Sequence, residues 1–243
     1  MYKPKHSPLS DKTSELRLPN PFSLISWNLQ KVDFSIYQPR KIEQLLNIEE
    51  MHILSLQEAR IHENQRSFFG LPFCMAPNIE TPNNVYGALT ASAYQLEASH
   101  QFLTASRELG FATHKPAIIT QHSLANKETL THVNIHAINF VPHYIFKKEL
   151  KLLLRKIEDM QGPLIISGDF NTWNRTRLTT LLKMTNQLEL QMVDYPDIRP
   201  IKTLNRQPLD HIFYRGLTLN ASRAISVPHI SDHNPIIAEF SSK

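Results

Sequence analysis

The chain has 243 residues, 41% apolar and 20% charged, a make-up typical of a soluble globular protein large enough to bury its own core. Its 26 Lys and Arg against 22 Asp and Glu leave a net charge of +4, which suits a phosphate-bearing partner without requiring one. The single cysteine, Cys74, excludes an internal disulfide and a cysteine-based zinc site, and no run approaches the roughly 20 apolar residues of a membrane span. Residues 1–21 carry four prolines and several charges and lack the apolar core of a signal peptide. They read as a flexible polar lead-in to one domain over 22–243. A reducing cytoplasm is the expected home, with no membrane insertion and no obligate protein partner.

Phe22 to Trp27 reads as a buried strand. Pro39 opens a helix over 39–50, with Ile42, Leu45 and Leu46 on one face. Ile53 to Leu56 is a second strand, 61–70 a short helix, and Leu71-Pro72-Phe73 the start of a loop or edge strand. Strands follow at 85–90, 96–103 and 117–120. His132 to Phe140 alternates polar and apolar residues, so His132, Asn134 and His136 share one face of a half-buried strand. Residues 145–160 have helical spacing in Phe146, Leu150, Leu153, Leu154 and Ile157. Leu164 to Ser167 is a buried strand, 174–187 a helix, and strands close the chain at 209–214, 217–227 and 236–240. Strands outnumber helices, and the helices fall between them, so the class is α/β or α+β with a mixed sheet.

Polar residues collect at the ends of these strands. Asp169 and Asn171, in Ser167-Gly168-Asp169-Phe170-Asn171, follow Leu164-Ile165-Ile166 directly. Asp and Gly do not favour strands, so neither serves the strand itself. Asn28 ends the first strand, Glu58 follows the second, His136 lies in the alternating run, and Asp232-His233 precedes the last strand. Asp210 heads the strand before it and is placed to orient an imidazole. Each has a plainer reading: Glu58 paired with Arg60, Asn28 as a turn former, Asn171 or Asn174 as a helix cap, Asp210 as a turn residue. Lys147, Lys151 and Arg155 read as a solvated helix face, whereas Arg175 and Arg177 lie closer to Asn171 and to any phosphate held there.

Together these segments resemble the endonuclease/exonuclease/phosphatase superfamily, the DNase I-like and exonuclease III-like phosphoesterases. The resemblance rests on Trp27-Asn28, Gln57-Glu58, Val133-Asn134-Ile135-His136, Gly168-Asp169-Phe170-Asn171, Leu209-Asp210 and Ser231-Asp232-His233, in the family's order from about residue 22 to 240. Within it the chain looks most like the bacterial YafD-like branch. The resemblance implies a four-layer α/β/β/α sandwich of two mixed sheets with helices outside. It also implies hydrolysis of a phosphate ester, most plausibly in nucleic acid, with Mg2+ or Mn2+. Phospholipid or inositol-phosphate hydrolysis and a non-catalytic binding module are the alternatives. It makes Glu58 the main metal ligand, with Asn28 and Asp232 near the ion. Asp169 would activate water with help from Asn171, His136 and His233 would donate to phosphate oxygens, and Asp210 would hold His233. His211 departs from the family pattern, which more often has an aromatic or aliphatic residue after the aspartate.

Overall fold

The structure, a computed structural model, describes residues 14–34, 44, 46, 47, 50–110, 112–227 and 229–243. The strands are β1 (Phe22–Asn28), β2 (Ile53–His62), β3 (Phe73–Glu80), β4 (Asn84–Ala91), β5 (Glu97–Leu103), β6 (Pro116–Ser123), β7 (Thr129–His136), β8 (Leu164–Asp169), β9 (Gln191–Met192), β10 (Thr203–Leu204), β11 (Gln207–Pro208), β12 (Asp210–Arg215), β13 (Leu217–Ala224) and β14 (Ile236–Ser242). Among the described residues the two longer helices are α1 (His143–Leu154) and α2 (Arg175–Asn186). The strands form two six-stranded mixed sheets, ordered β13-β14-β1-β2-β4-β3 and β5-β6-β7-β8-β12-β9, plus the β10-β11 hairpin. β1 and β2 run parallel in the first sheet, as do β7 and β8 in the second.

The sheets pack face to face. Leu18, Phe22, Leu24 and Ile53 of one side meet Leu130, Ile165 and Ile212 of the other. Full burial of each such side chain contributes roughly 1.5–3 kcal/mol. β7 and β8 also bury their other face, against Phe146, Leu150, Leu154 and Leu181 of the helices. That double burial explains why Leu164-Ile165-Ile166 is continuously apolar rather than alternating. A second outer cluster, with Trp27, Leu46, Met51, Phe68 and Phe73, covers the other sheet. No helix among the described residues is long and apolar enough to cross a membrane.

Part of the space between the sheets is polar. Asn134 donates to the carbonyls of Leu56 and Leu89 at 3.1 and 2.9 Å, and Gln57 Nε2 donates to Asn134 Oδ1 at 2.8 Å. Ser167 Oγ lies 2.8 Å from Ser55 Oγ and 2.9 Å from His132 Nε2. Buried polar groups are costly unless partnered, so these bonds fix how the sheets sit on one another. The alternation in 132–136 is thus accounted for by a face turned toward the opposite sheet.

Several expectations are revised. Residues 61–70 do not form a helix: β2 continues to His62 and a turn follows. Within the expected lead-in, Leu18 is buried and bridges to Leu124, because the inter-sheet core extends past the end of β1. The helix expected over 39–50 falls mainly outside the described residues. Glu58 does not pair with Arg60, which reaches Asp33 at 2.8 Å and Asn84 at 3.0 Å instead.

Candidate active site

Strand register builds one half of the site. His136 on β7 lies opposite Asp169 on β8, and Asp210 on β12 lies opposite Asp169 from the other side. Three polar side chains therefore stand in one row across three neighbouring strands. Gly168 makes the row possible. With φ of 142°, its Cα faces the Ile135 carbonyl so closely that a Cβ would fall 1.9 Å from that oxygen. Only glycine fits so close a backbone approach.

The other half comes from the first sheet. Asn28 lies opposite Gln57 in the parallel β1–β2 pair. The β2–β4 register slips between Leu56 and Ala59, and Glu58 adopts φ of 49° at this bulge. A bulge re-aims a side chain, here the carboxylate.

The halves meet at Asp169, which is 2% exposed. Asn28 Nδ2 donates to its Oδ2 at 2.9 Å, and the Asn171 N–H donates to its Oδ1 at 2.9 Å. The same Oδ2 lies 3.6 Å from His136 Nε2 and 3.9 Å from His233 Nε2. His136 Nδ1 in turn lies 3.7 Å from Glu58 Oε1. His233 Nδ1 bonds Asp210 Oδ2 at 2.8 Å, and its Nε2 is 3.9 Å from Asp232 Oδ1. Asn28, Glu58, His136, Asp169, Asp210, Asp232 and His233 thus form one continuous chain of contacts. Asp232 and His233 lie in a bend before β14 rather than in a strand, so both reach the site.

Burial sets the protonation states. It pushes Asp169 up to about 7, with Asp210's charge adding to the rise; His233 and the donors from Asn171 and Asn28 oppose it. Burial alone pulls His233 down, but Asp210's charge and hydrogen bond, aided by Asp169 and Asp232, raise it to about 9. His136 is held well below 6.5 by burial and by nearby Lys115, His233 and Lys31. At neutral pH the site therefore pairs a neutral imidazole with an imidazolium, and both flank a carboxylate near its own titration point.

Lys31 and Lys115 were not anticipated from sequence. Lys115 Nζ is 3.3 Å from Glu58 Oε1 and also 3.3 Å from Glu108, and Lys31 Nζ is 3.4 Å from Glu58 Oε2. Neither lies in a recognisable motif; the only hint is that each is close in sequence to a strand end. Trp27, by contrast, stands in a motif, and its Nε1 donates to the His233 carbonyl at 2.8 Å, tying the last loop to β1.

Two oxygen-rich groupings bear on cation binding. Asp169, Asp210 and His233 bring ligand atoms within 4.8 Å of one another, but His233 Nδ1 is already committed to Asp210. Glu58 meets positive charge at both oxygens, and Asn28, Asp169 and Asp232 along the same chain of contacts offer hard oxygen atoms, Asp232 beside Lys202 at 3.1 Å. That donor set fits a divalent ion such as magnesium.

The remaining expected residues divide. The Asn171 side chain donates to the Ala137 carbonyl at 2.9 Å, so it serves the site by holding the loop and through its backbone N–H. Asn174, not Asn171, caps α2, accepting from the Arg177 N–H at 2.8 Å. Arg177 is not at the surface. It is 1% exposed, and its guanidinium donates to the carbonyls of Ile138, Asn171 and Val141 while lying over Trp173 and Phe146. Its task is to hold the 138–141 and 171 loops together, which a sequence cannot distinguish from phosphate binding. Arg175 is exposed at the first turn of α2. His211, the departure from the family pattern, is buried, with Nε2 2.7 Å from Thr172 Oγ1, and packs on the edge of Phe170.

A two-sheet sandwich with acids, amides and imidazoles gathered at strand ends defines a class, the phosphoric ester hydrolases built on the DNase I-like fold. The chain belongs to the Endonuclease/Exonuclease/phosphatase family, whose profile matches residues 25–233. It is 30% identical over 238 residues to a "UPF0294 protein" from Vibrio campbellii, covering 97% of this chain and 81% of that one. An endonuclease/exonuclease/phosphatase family protein from Leptotrichia buccalis superposes with a TM-score of 0.66 at 15% identity, covering 90% of this chain and 99% of that chain. D. rerio TDP2, in a crystal structure with a single-strand DNA product, superposes at 0.64 and 14% identity, covering 91% and 99%. These two likenesses are of fold.

Proposed function

We propose that this protein hydrolyses phosphodiesters by in-line attack of a water that Asp169 deprotonates. The water oxygen bonds to phosphorus, the opposite P–O ester bond breaks, and the departing alkoxide takes a proton. Asp169 suits the role of base because its pKa of about 7 lies near the working pH of a neutral environment. His233, held protonated by Asp210, donates to the phosphoryl oxygens, and neutral His136 donates from the other side. Each well-aimed donor at developing negative charge is worth roughly 3–4 kcal/mol. Glu58, with Asn28 and Asp232, would hold a divalent cation, magnesium by preference and manganese as a substitute. Such an ion supplies Lewis-acid stabilisation of the phosphoryl charge. Arg175 and the two lysines beside Glu58 add positive charge for phosphate.

The single observation carrying this reading is that Asp169 lies within 4 Å of both imidazoles, His136 at 3.6 Å and His233 at 3.9 Å. Nucleic acid is one substrate to assay, given the DNA product bound to the TDP2 neighbour. The test is hydrolysis of a phosphodiester panel by the purified chain with magnesium, against the same panel with a chelator and against Asp169→Asn. Turnover that survives both overturns the proposal.

A further inference from the structure

A cavity of about 230 Å³ lies between α1 and the outer face of β5, β6 and β7. Its wall includes Phe102, Ala117, Ile135, Phe146, Leu150 and Leu153. Lys115 and His136 also line it, and both contact Glu58. The cavity therefore shares a wall with the phosphoryl site. Elsewhere on its lining are Leu152, 39% exposed, and Lys156, whose ammonium lies 6.0 Å from the Phe102 ring centroid.

Most of the polar side chains in the lining are already engaged. Glu149 accepts the N–H groups of Ala105 and Ser106 at 2.9 and 2.8 Å. The Thr104 hydroxyl donates to the Ser106 carbonyl at 2.8 Å and accepts the Lys115 N–H at 2.9 Å. The Lys115 ammonium sits between Glu58 and Glu108. A nucleobase here would lose its hydration and find few partners for its polar edge, whereas a hydrocarbon chain loses nothing. An apolar cavity of about 150 Å³ already stays dry and accepts a benzene ring. The solvent-facing side of α1 has a matching character. Tyr144 is 70% exposed and Phe140 58%, and Lys147, Lys148, Lys151 and Arg155 are exposed along α1 and its end. Aromatic side chains beside basic ones suit an anionic lipid surface.

We propose that this cavity seats a hydrocarbon chain of a phospholipid-type phosphodiester whose phosphoryl group lies at Glu58 and Asp169. The proposal rests on the phosphodiesterase reading for its reaction but not for its binding, so two measurements separate them. Calorimetry compares decyl phosphate with inorganic phosphate on the full chain. Decyl phosphate is expected to bind at least about tenfold more tightly, since removing even two methylenes from water is worth that factor. Ala117→Phe, which fills the floor, and Leu152→Asp, a substitution at an exposed position, are each expected to reduce that advantage. Leu152→Asp carries the test if the first variant misfolds. Equal affinity for the two phosphates, or an advantage indifferent to both substitutions, overturns the proposal. Turnover with magnesium is then compared for a dihexanoyl glycerophospholipid below its micelle concentration, its deacylated counterpart and a dinucleotide. The acylated substrate is expected to have the highest kcat/KM. Faster turnover of the deacylated compound or the dinucleotide overturns the lipid assignment and leaves the phosphodiesterase reading standing. Chain-dependent binding with no turnover of any of the three overturns that reading and leaves the cavity assignment standing.

Discussion

His233 Nδ1 stands 2.8 Å from Asp210 Oδ2, and the opposite ring nitrogen faces Asp169 at 3.9 Å. One carboxylate therefore orients and charges the imidazole while the other is positioned to act beside it. Removing the Asp210 charge in Asp210→Asn removes the main cause of the raised His233 pKa. Turnover is expected to fall by up to roughly ten-thousandfold, the loss seen when the orienting aspartate of a catalytic triad becomes an amide. The alkaline limb of the pH–rate profile should move below its wild-type position. A lower rate with an unmoved limb would assign Asp210 a purely structural role.

The wild-type profile of kcat/KM should be bell-shaped. Asp169 must be ionised, so activity rises through about 7, and His233 must be protonated, so it falls through about 9. The two groups are close enough that the limbs belong to the pair. A profile flat from pH 6 to 10 would contradict the assignment of acid and base, since both values lie inside that window.

Glu58→Gln keeps the shape of the side chain and removes its charge. Turnover with magnesium is expected to drop at least about a hundredfold, while the circular dichroism spectrum and urea midpoint stay close to wild type. Isothermal titration should show weaker magnesium binding. Wild-type magnesium affinity in the variant would place the cation elsewhere, for instance at Asp169, Asp210 and His233.

Arg177→Met removes a buried guanidinium that serves three backbone carbonyls. Carbonyls left without donors cost about 1–3 kcal/mol each where water cannot reach them. A loss of at least about 3 kcal/mol in urea unfolding is expected. Because Asn171 is one of the three carbonyl partners, kcat should fall as well.

Acid should destabilise the fold through three buried histidines, against the opposite contribution of Asp169, which burial raises to about 7. Burial lowers His122 and His211 to about 4 and holds His132 well below 6.5. Each takes up its proton more readily when unfolded. The stability this confers is complete above pH 6.5 and is lost as pH falls toward 4. For His122, the gap between 6.5 and about 4 is worth about 3 kcal/mol. Urea midpoints measured between those values should fall steadily, and less steeply in His122→Gln.

Much of the fold was legible because hydrophobic periodicity reports burial directly. β1, β8 and the 175–186 helix fall within two residues of their expected bounds, whereas the helix expected over 145–160 spans 143–154 and ends in a turn. The short helix over 61–70 was misread because Phe68, Phe69 and Leu71 are apolar for the sake of the outer cluster, not a helix face. In the candidate site, short motifs at strand ends marked Asn28, Glu58, His136, Asp169, Asp210 and His233. Lys31 and Lys115 escaped notice because a lysine beside a proline or a turn looks the same whether it meets solvent or a carboxylate.

The amino-acid sequence alone determined the strand-rich α/β class, the family and the polar groups that end its strands, because burial and turn chemistry are written in local residue order. Tertiary structure alone decided which of those groups touch. The register of β7, β8 and β12 sets His136, Asp169 and Asp210 side by side. Burial then raises Asp169 to about 7, Asp210 raises His233 to about 9 against burial, and three backbone carbonyls turn Arg177 from a phosphate candidate into a loop clamp. Protonation, desolvation and pairing depend on neighbours brought together across dozens of residues, and no local pattern encodes that distance.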